Sequence, residues 1–310
     1  MNQVESLGIA ISTGHRKWAI GELAKSVRSF FPHSSIIEVP QSRREVRSLK
    51  GFLYLPKYSK YLFMHHSLAI EAWEKGWIQE FKEYGIRYTH ESVAIENSIE
   101  VFLRAKFITV ENSTSKLSLA QKGLDANKIH FLPHPIDYES FRNLSAKKSR
   151  DVIFVSNFYE RKNPELILQV IRNCPDLQFS ILGKGWEGWS KFSELCALDN
   201  FQYKTFSYEE YPWILGSHHI FCSLSSLEGG PVPLIESLAA GLKVVATDTG
   251  HIRDVLLDRK PYNVVPVDAE LDVVCSSLRQ ALADTSTQDS SFDKFDTENY
   301  MRNLKSLLEM

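Results

Sequence analysis

Short apolar runs that each stop in a glycine or polar loop and then hand over to an amphipathic helix recur along the whole chain. No other feature constrains the fold as strongly. In the first half such runs stand at residues 7–12, 36–39, 51–55, 61–64 and 107–110, and in the second at 151–157, 179–182, 220–223 and 244–247. They are too short for buried helices, and the segments between them carry helical spacing. Residues 18–31 place Ile20, Leu23, Ala24, Val27 and Phe30 on one face. Residues 69–84, rich in Trp and Glu, and residues 95–104 read as helices, as does a segment from Pro164 to about Arg172. Strand and helix in alternation imply parallel sheets with helices on both faces, where ligands sit at the carboxyl ends of the strands. With 310 residues the chain divides into two such domains. The polar segment 143–150 reads as the linker, giving an N-terminal domain 1–149, a C-terminal domain 150–290 and a C-terminal helix 291–310 with Tyr300, Met301, Leu304, Leu307 and Leu308 on its apolar side.

Charge separates the two halves. Residues 1–149 hold 21 Lys and Arg against 15 Asp and Glu, whereas residues 150–310 hold 15 against 23, so a formal net charge of −2 is the sum of a basic half and an acidic one. A basic half suits an anionic partner, and the cluster Arg43, Arg44, Arg47 and Lys50 beside the aromatic 51–63 region suggests an anionic membrane surface or a lipid-linked acceptor. The same residues also fit a solvated face and a core strand. No run of eighteen apolar residues occurs, and the start lacks a basic n-region, so neither a membrane span nor a signal peptide is expected. Cys174, Cys196, Cys222 and Cys275 lack C-x-x-C spacing and read as reduced core residues of a cytoplasmic protein.

The chemistry concentrates in residues 227–241, where Glu228 and Glu236 enclose a Gly229-Gly230-Pro231 turn and the second glutamate lies inside a small-residue helical run ending at Gly241. A loop feeding a helix N-terminus presents backbone N–H groups and the positive end of the helix dipole, which suits phosphate. Glu236, about one turn in, suits vicinal hydroxyls such as those of a ribose, and Glu228 a second set. Taken alone the stretch equally fits a turn, a buried helix and two incidental glutamates. Arg161-Lys162 taken alone is a solvated helix start.

The ordered set of residues 154–164, Gly183-Lys184-Gly185, the E-x7-E stretch and residues 239–248 resembles the C-terminal half of family 4 retaining glycosyltransferases with the GT-B fold. The resemblance extends more weakly through residues 61–67, 87–91, 107–113 and 129–137. It implies an α/β protein with two Rossmann-like βαβ domains facing across a cleft and a C-terminal helix packing back on the first. Carried over by position, Glu236 holds donor ribose hydroxyls, Glu228 contacts the transferred sugar, the backbone of Gly229, Gly230 and Val232 meets the diphosphate, and Lys162 binds phosphate with Arg161 beside it. Gly183 and the N-terminal glycine loop at Gly14 line the donor. His15, Arg16 and Lys17 face acceptor or phosphate. His90, after a strand, approaches the sugar, so that His90, Lys162 and Glu228 form the catalytic set. His65 and His66 fit a lining or a structural role equally.

Two positions depart from the family. Ser156-Asn157 stands where Gly-Arg is common, removing a guanidinium, and Pro231 removes one N–H from the turn. With no D-x-D in the chain, no metal ligand set and no cofactor are expected; the substrate is the nucleotide sugar itself. The function implied is transfer of a hexose or N-acetylhexosamine, with retention and without a metal, from a nucleotide diphosphate sugar, UDP favoured, to a hydroxyl of a glycan or lipid-linked glycan. The enzyme would be cytoplasmic or peripheral at the membrane, with no nucleic-acid partner. Other readings are a non-catalytic nucleotide-sugar-binding subunit and a GT-B-fold epimerase or phosphorylase. A dehydrogenase is disfavoured because Gly183-x-Gly185 lacks the third glycine.

Overall fold

The computed structural model describes residues 6–13, 19–39, 58–75, 83–90, 95–142, 144, 148–207, 209–256, 262–286 and 295–309. The expected strand at 51–55, the basic cluster 43–50 and the loop carrying Gly14, His15, Arg16 and Lys17 lie outside them. The chain forms two compact units, one comprising Met1–Pro133 with Glu298–Met310 and the other His134–Thr297.

In the first unit, β1 (Leu7–Ser12), α1 (Ala19–Phe30), β2 (Ser34–Val39), β3 (Lys60–Phe63), α2 (His66–Glu74), β4 (Glu83–Tyr88), α3 (Ile99–Arg104), β5 (Phe107–Val110), α4 (Ser113–Gln121) and β6 (Ile129–Phe131) follow one another. Among the described residues the sheet has six strands in the order β2-β1-β3-β4-β5-β6, all paired in parallel. The helix expected over 69–84 is different in detail. It starts at His66, where the ring of His65 caps the Ser67 N–H, and ends at Glu74, and Tyr84 is already a sheet residue opposite Tyr61. Pairing with β3 and β5 decides the backbone there over the helical spacing of the Trp and Glu residues. Between β4 and the end of β5 an ion pair, Arg87 with Glu111, is almost wholly buried.

In the second unit, α5 (Tyr138–Phe141), β7 (Arg150–Val155), α6 (Pro164–Asn173), β8 (Phe179–Leu182), α7 (Phe192–Cys196), β9 (Phe201–Lys204), α8 (Tyr211–Gly216), β10 (His218–Ser223), α9 (Val232–Ala239), β11 (Lys243–Thr247), α10 (Ile252–Leu256), β12 (Tyr262–Val265) and α11 (Leu271–Ala283) build a second parallel sheet, six strands among the described residues, ordered β12-β11-β10-β7-β8-β9. The order reverses at β7, where β8 lies on one side and β10 on the other, and a sheet of this kind opens its ligand crevice at such a point. The core on one face is Ile153, Phe221, Leu234, Ile235, Leu238, Val244 and their neighbours, and on the other Phe154, Ile167, Phe179, Trp186, Cys222 and Val274. Cys174, Cys222 and Cys275 are core residues as expected, but Cys196, the last residue of α7, is exposed.

The C-terminal helix, α12 (Thr297–Glu309), returns to the first unit. Tyr300, Met301, Leu304, Leu307 and Leu308 join Leu7, Ile9, Leu23, Val27 and Phe107 in one core, as the spacing of its apolar residues implies.

Candidate active site

Loops leaving the carboxyl ends of β7, β8, β10 and β11 assemble the site. After β7 the chain runs through Ser156 and Asn157 into a single 3-10 turn at Glu160–Lys162, and Asn163, at φ 58, swings it into Pro164, the first residue of α6. A left-handed asparagine followed by proline ends one turn and starts the next helix with little steric cost. This geometry brings Arg161 and Lys162 over the β10 loop. The Arg161 carbonyl accepts the Ser226 N–H at 2.8 Å, and its guanidinium donates to the Leu227 carbonyl at 2.8 Å.

Glu228 closes the arrangement. Its carboxylate accepts from Arg161 Nη1 at 2.8 Å on Oε2 and from Lys162 Nζ on Oε1, while its side chain is only 7% exposed. Burial alone would raise the Glu228 carboxyl, but Lys162 and Arg161 together outweigh it and hold it below the usual carboxylate range. Burial lowers the Lys162 ammonium, with Glu228 opposing and Arg161 adding to the effect. The two cations and one carboxylate leave a residual positive charge at the strand edge. The family resemblance assigns the cations to phosphate and Glu228 to a sugar; in the structure both cations pair with Glu228.

Gly229 and Gly230 form the turn that Pro231 closes, and Val232 opens α9 with no side-chain cap on its N-terminus. The turn is held from behind. Gly250 sits at φ 56, and a Cβ there would come within 2.5 Å of the Gly229 carbonyl oxygen and 3.1 Å of Glu228 Cβ, so only glycine lets this loop back the turn. Thr247, at the end of β11, donates its hydroxyl to the Ser225 carbonyl at 2.6 Å. Gly183 is explained in the same way. A Cβ on it would lie 1.9 Å from the Ser156 carbonyl oxygen, because the β8 loop is laced to the β7 loop by Phe158 N–H to Lys184 O at 2.9 Å and Lys184 N–H to Asn157 Oδ1 at 3.0 Å. Asn157, where the family commonly has an arginine, therefore ties two loops together.

Glu236 lies one turn into α9 and is buried. Tyr211, the first residue of α8, donates its phenol to Glu236 Oε2 at 2.6 Å, the one hydrogen bond to this carboxyl among the described residues. Phe206 stacks on the tyrosine ring at 4.8 Å and Phe141 meets its edge at 5.6 Å. Burial pushes the Glu236 carboxyl up to about 7, with the Tyr211 bond opposing it. Sequence reasoning did not find Tyr211. It is 25 residues from Glu236, in a segment with no motif, and nothing but the fold brings the two together.

His90 belongs to the first unit, just past β4, where its Nδ1 lies 2.9 Å from the Thr89 hydroxyl. His65 and His66, past β3, stand beside it, with ring centroids 5.6 and 5.2 Å from that of His90. Burial, then the nearby His90, lowers His66 to about 3, so it is neutral at physiological pH. Among the described residues this trio is the one set of His, Cys, Asp or Glu side chains whose ligand atoms lie close enough together to hold a metal. Within the trio His65 Nδ1 also accepts the Ser67 N–H at 3.2 Å, at the start of α2.

Comparison with known proteins fixes the family. The family model described as glycosyl transferases group 1 matches residues 136–291, half of the chain, and these residues hold every part of the site assembled around β7, β8, β10 and β11. The chain belongs to this family. It is 24% identical over 188 residues to a phosphatidylinositol N-acetylglucosaminyltransferase subunit of Arabidopsis thaliana, an alignment that covers 57% of this chain and 41% of that protein. The chain therefore spans about two-fifths of the length of this curated relative. Its fold is similar to that of Anabaena Alr3699/HepE, solved in complex with UDP and glucose, with a TM-score of 0.81, 11% identity and coverage of 99% of this chain and 100% of that one. It is also similar to that of sucrose-phosphate synthase from Thermosynechococcus elongatus, with a TM-score of 0.79, 13% identity and coverage of 99% and 98%. At such identities the likeness establishes the GT-B fold.

Proposed function

We propose that this chain is a retaining glycosyltransferase that moves a hexose or N-acetylhexosamine from a nucleotide diphosphate sugar, UDP favoured, to a hydroxyl of a glycan or lipid-linked glycan. The observation that carries the reading is the pair of cations, Arg161 and Lys162, gathered at a loop that feeds an uncapped helix N-terminus, with the buried carboxyl of Glu236 one turn behind it. A diphosphate needs the first and a ribose the second. The complex of Anabaena Alr3699/HepE with UDP and glucose supports the nucleotide, and the name of the Arabidopsis relative supports transfer of an amino sugar.

In this reading the bond between the anomeric carbon and the β-phosphate oxygen breaks, and a new one forms to the acceptor oxygen on the same face. The acceptor proton goes to the departing phosphate. Lys162 and Arg161, with the N–H groups of the Gly229–Val232 turn, stabilise the charge that grows on that phosphate, so no metal takes part. Glu228 exchanges part of its contact with the two cations for a hydroxyl of the sugar. His90 donates a hydrogen bond to the sugar, and the first unit, with the loop at Gly14, His15, Arg16 and Lys17, takes the acceptor. A lipid-linked acceptor would bring the basic half to an anionic membrane. Among the described residues no helix is long and apolar enough to cross one.

The test is turnover of a nucleotide sugar with acceptor extracts, with the anomeric configuration of the product read by NMR. Product of inverted configuration, or turnover that requires a divalent ion, would refute the mechanism. A second reading, a non-catalytic nucleotide-sugar-binding subunit, is favoured by the naming of the relative as one subunit of a transferase. It predicts donor binding with no transfer to any acceptor.

A further inference from the structure

We infer that Tyr211 is a positioning residue for donor recognition: its phenol holds Glu236 Oε2 so that the other carboxylate oxygen accepts the vicinal hydroxyls of the nucleotide's ribose. The inference rests on the reading of Glu236 as the ribose acceptor. Tyr211 Oη lies 2.6 Å from Oε2, and the ring is fixed between Phe206 and Phe141, with 3% of the residue exposed. The phenol thus points in one direction before any donor arrives. A hydroxyl donor on one oxygen leaves the lone pairs of the other for a diol, which must donate two hydrogen bonds to an ionised carboxylate to bind well.

The surroundings of Glu236 make the ionised form costly without this bond. From α8 comes Tyr211. From β11 come Val244 and Ala246, both buried, with Lys243 at the start of the strand bonded to the Asp284 carbonyl. From α5 come Tyr138 and Phe141, and Glu139 there is exposed and paired with Arg142. Burial and the opposing bond from Tyr211 account for the titration of Glu236 near pH 7. Donor binding therefore favours release of a proton from Glu236, and Tyr211 sets the pH at which this happens.

Calorimetric titration of UDP-glucose into the full chain from pH 5.5 to 9 tests this, because a diphosphate diester has no ionisation of its own in that range. Wild-type affinity is expected to rise with pH through about 7 and then level off, with protons released at neutral pH. Tyr211→Phe keeps the ring and its stacking but loses the bond, worth about tenfold for a charged acceptor. Its profile is expected to move up by about one pH unit, so that binding is weakened about tenfold more at pH 6 than at pH 9, where only the lost orientation of the ionised carboxylate remains. The 2′,3′-dideoxy analogue of UDP-glucose should bind wild type with no such pH dependence. Tyr211→Phe with the wild-type profile, a loss equal at every pH, or an analogue that keeps the pH dependence would overturn the inference alone. No UDP-glucose binding by wild type, or Glu236→Gln binding UDP-glucose as tightly as wild type at pH 8.5, would instead overturn the reading of the site beneath it.

Discussion

Replacing Glu236 by glutamine should stabilise the free protein at alkaline pH while weakening its hold on the donor. The folded-state value of about 7 lies above the ordinary 4.5, with burial as the main cause. Between those values the folded protein holds a proton that the unfolded chain has given up. Its contribution to stability is therefore complete below pH 4.5 and is lost as the pH rises through about 7. The gap amounts to ~3 kcal/mol of stability missing at pH 8.5. Glutamine cannot ionise and its carbonyl can still accept from Tyr211, but burying an amide N–H without a partner costs about 1 kcal/mol or more. Net, the variant should match wild type or fall slightly below it at pH 5 and exceed it by roughly 2 kcal/mol at pH 8.5. For a unit the size of His134–Thr297, about 2 kcal/mol corresponds to an increase in Tm of roughly 4–8 °C. Differential scanning calorimetry at the two pH values reads both numbers. A variant less stable than wild type at pH 8.5 by as much as at pH 5 would show that Glu236 is not a strained, buried acid.

Other residues give independent tests. Lys162→Met should lower turnover by about 10²–10³ by removing a fixed cation from the leaving phosphate, and steady-state rates at saturating donor will show it. Gly250→Ala places a Cβ 2.5 Å from the Gly229 carbonyl at a positive φ, so it should displace the turn and weaken donor binding by tenfold or more, measured by titration; unchanged affinity would separate the turn from the donor site. In the first unit, Glu111→Gln leaves the Arg87 charge buried without its partner and should cost about 3–5 kcal/mol in denaturant unfolding.

The alternation of strand and helix was legible because the central parallel strands are buried on both faces and read as unbroken apolar runs. The expected strands at 61–64, 107–110, 179–182 and 244–247 all fall in the two sheets. The positions of Arg161, Lys162, Glu228 and Glu236 were legible through family spacing, and the structure brings the first three into contact. What the spacing did not convey is that Glu228 is itself the partner of both cations. β9 and β12, the two edge strands of the second sheet, carry too little apolar signal of their own and went unread. Gly183 and Gly250 owe their place to a carbonyl from another loop, a contact far apart in sequence. Tyr211 carries no mark at all, since a tyrosine before a proline at a helix start is ordinary until the fold sets it on a buried glutamate.

Whether the second unit holds a nucleotide sugar is read directly by a thermal-shift screen of the whole chain against UDP-, GDP-, ADP- and dTDP-sugars. One donor at a hundred times its dissociation constant should add about 2.7 kcal/mol to the stability of wild type. UDP-sugars are expected to give the largest shift, and Lys162→Met should reduce it. No shift with any of the four, or the same shift with Lys162→Met as with wild type, would contradict the account.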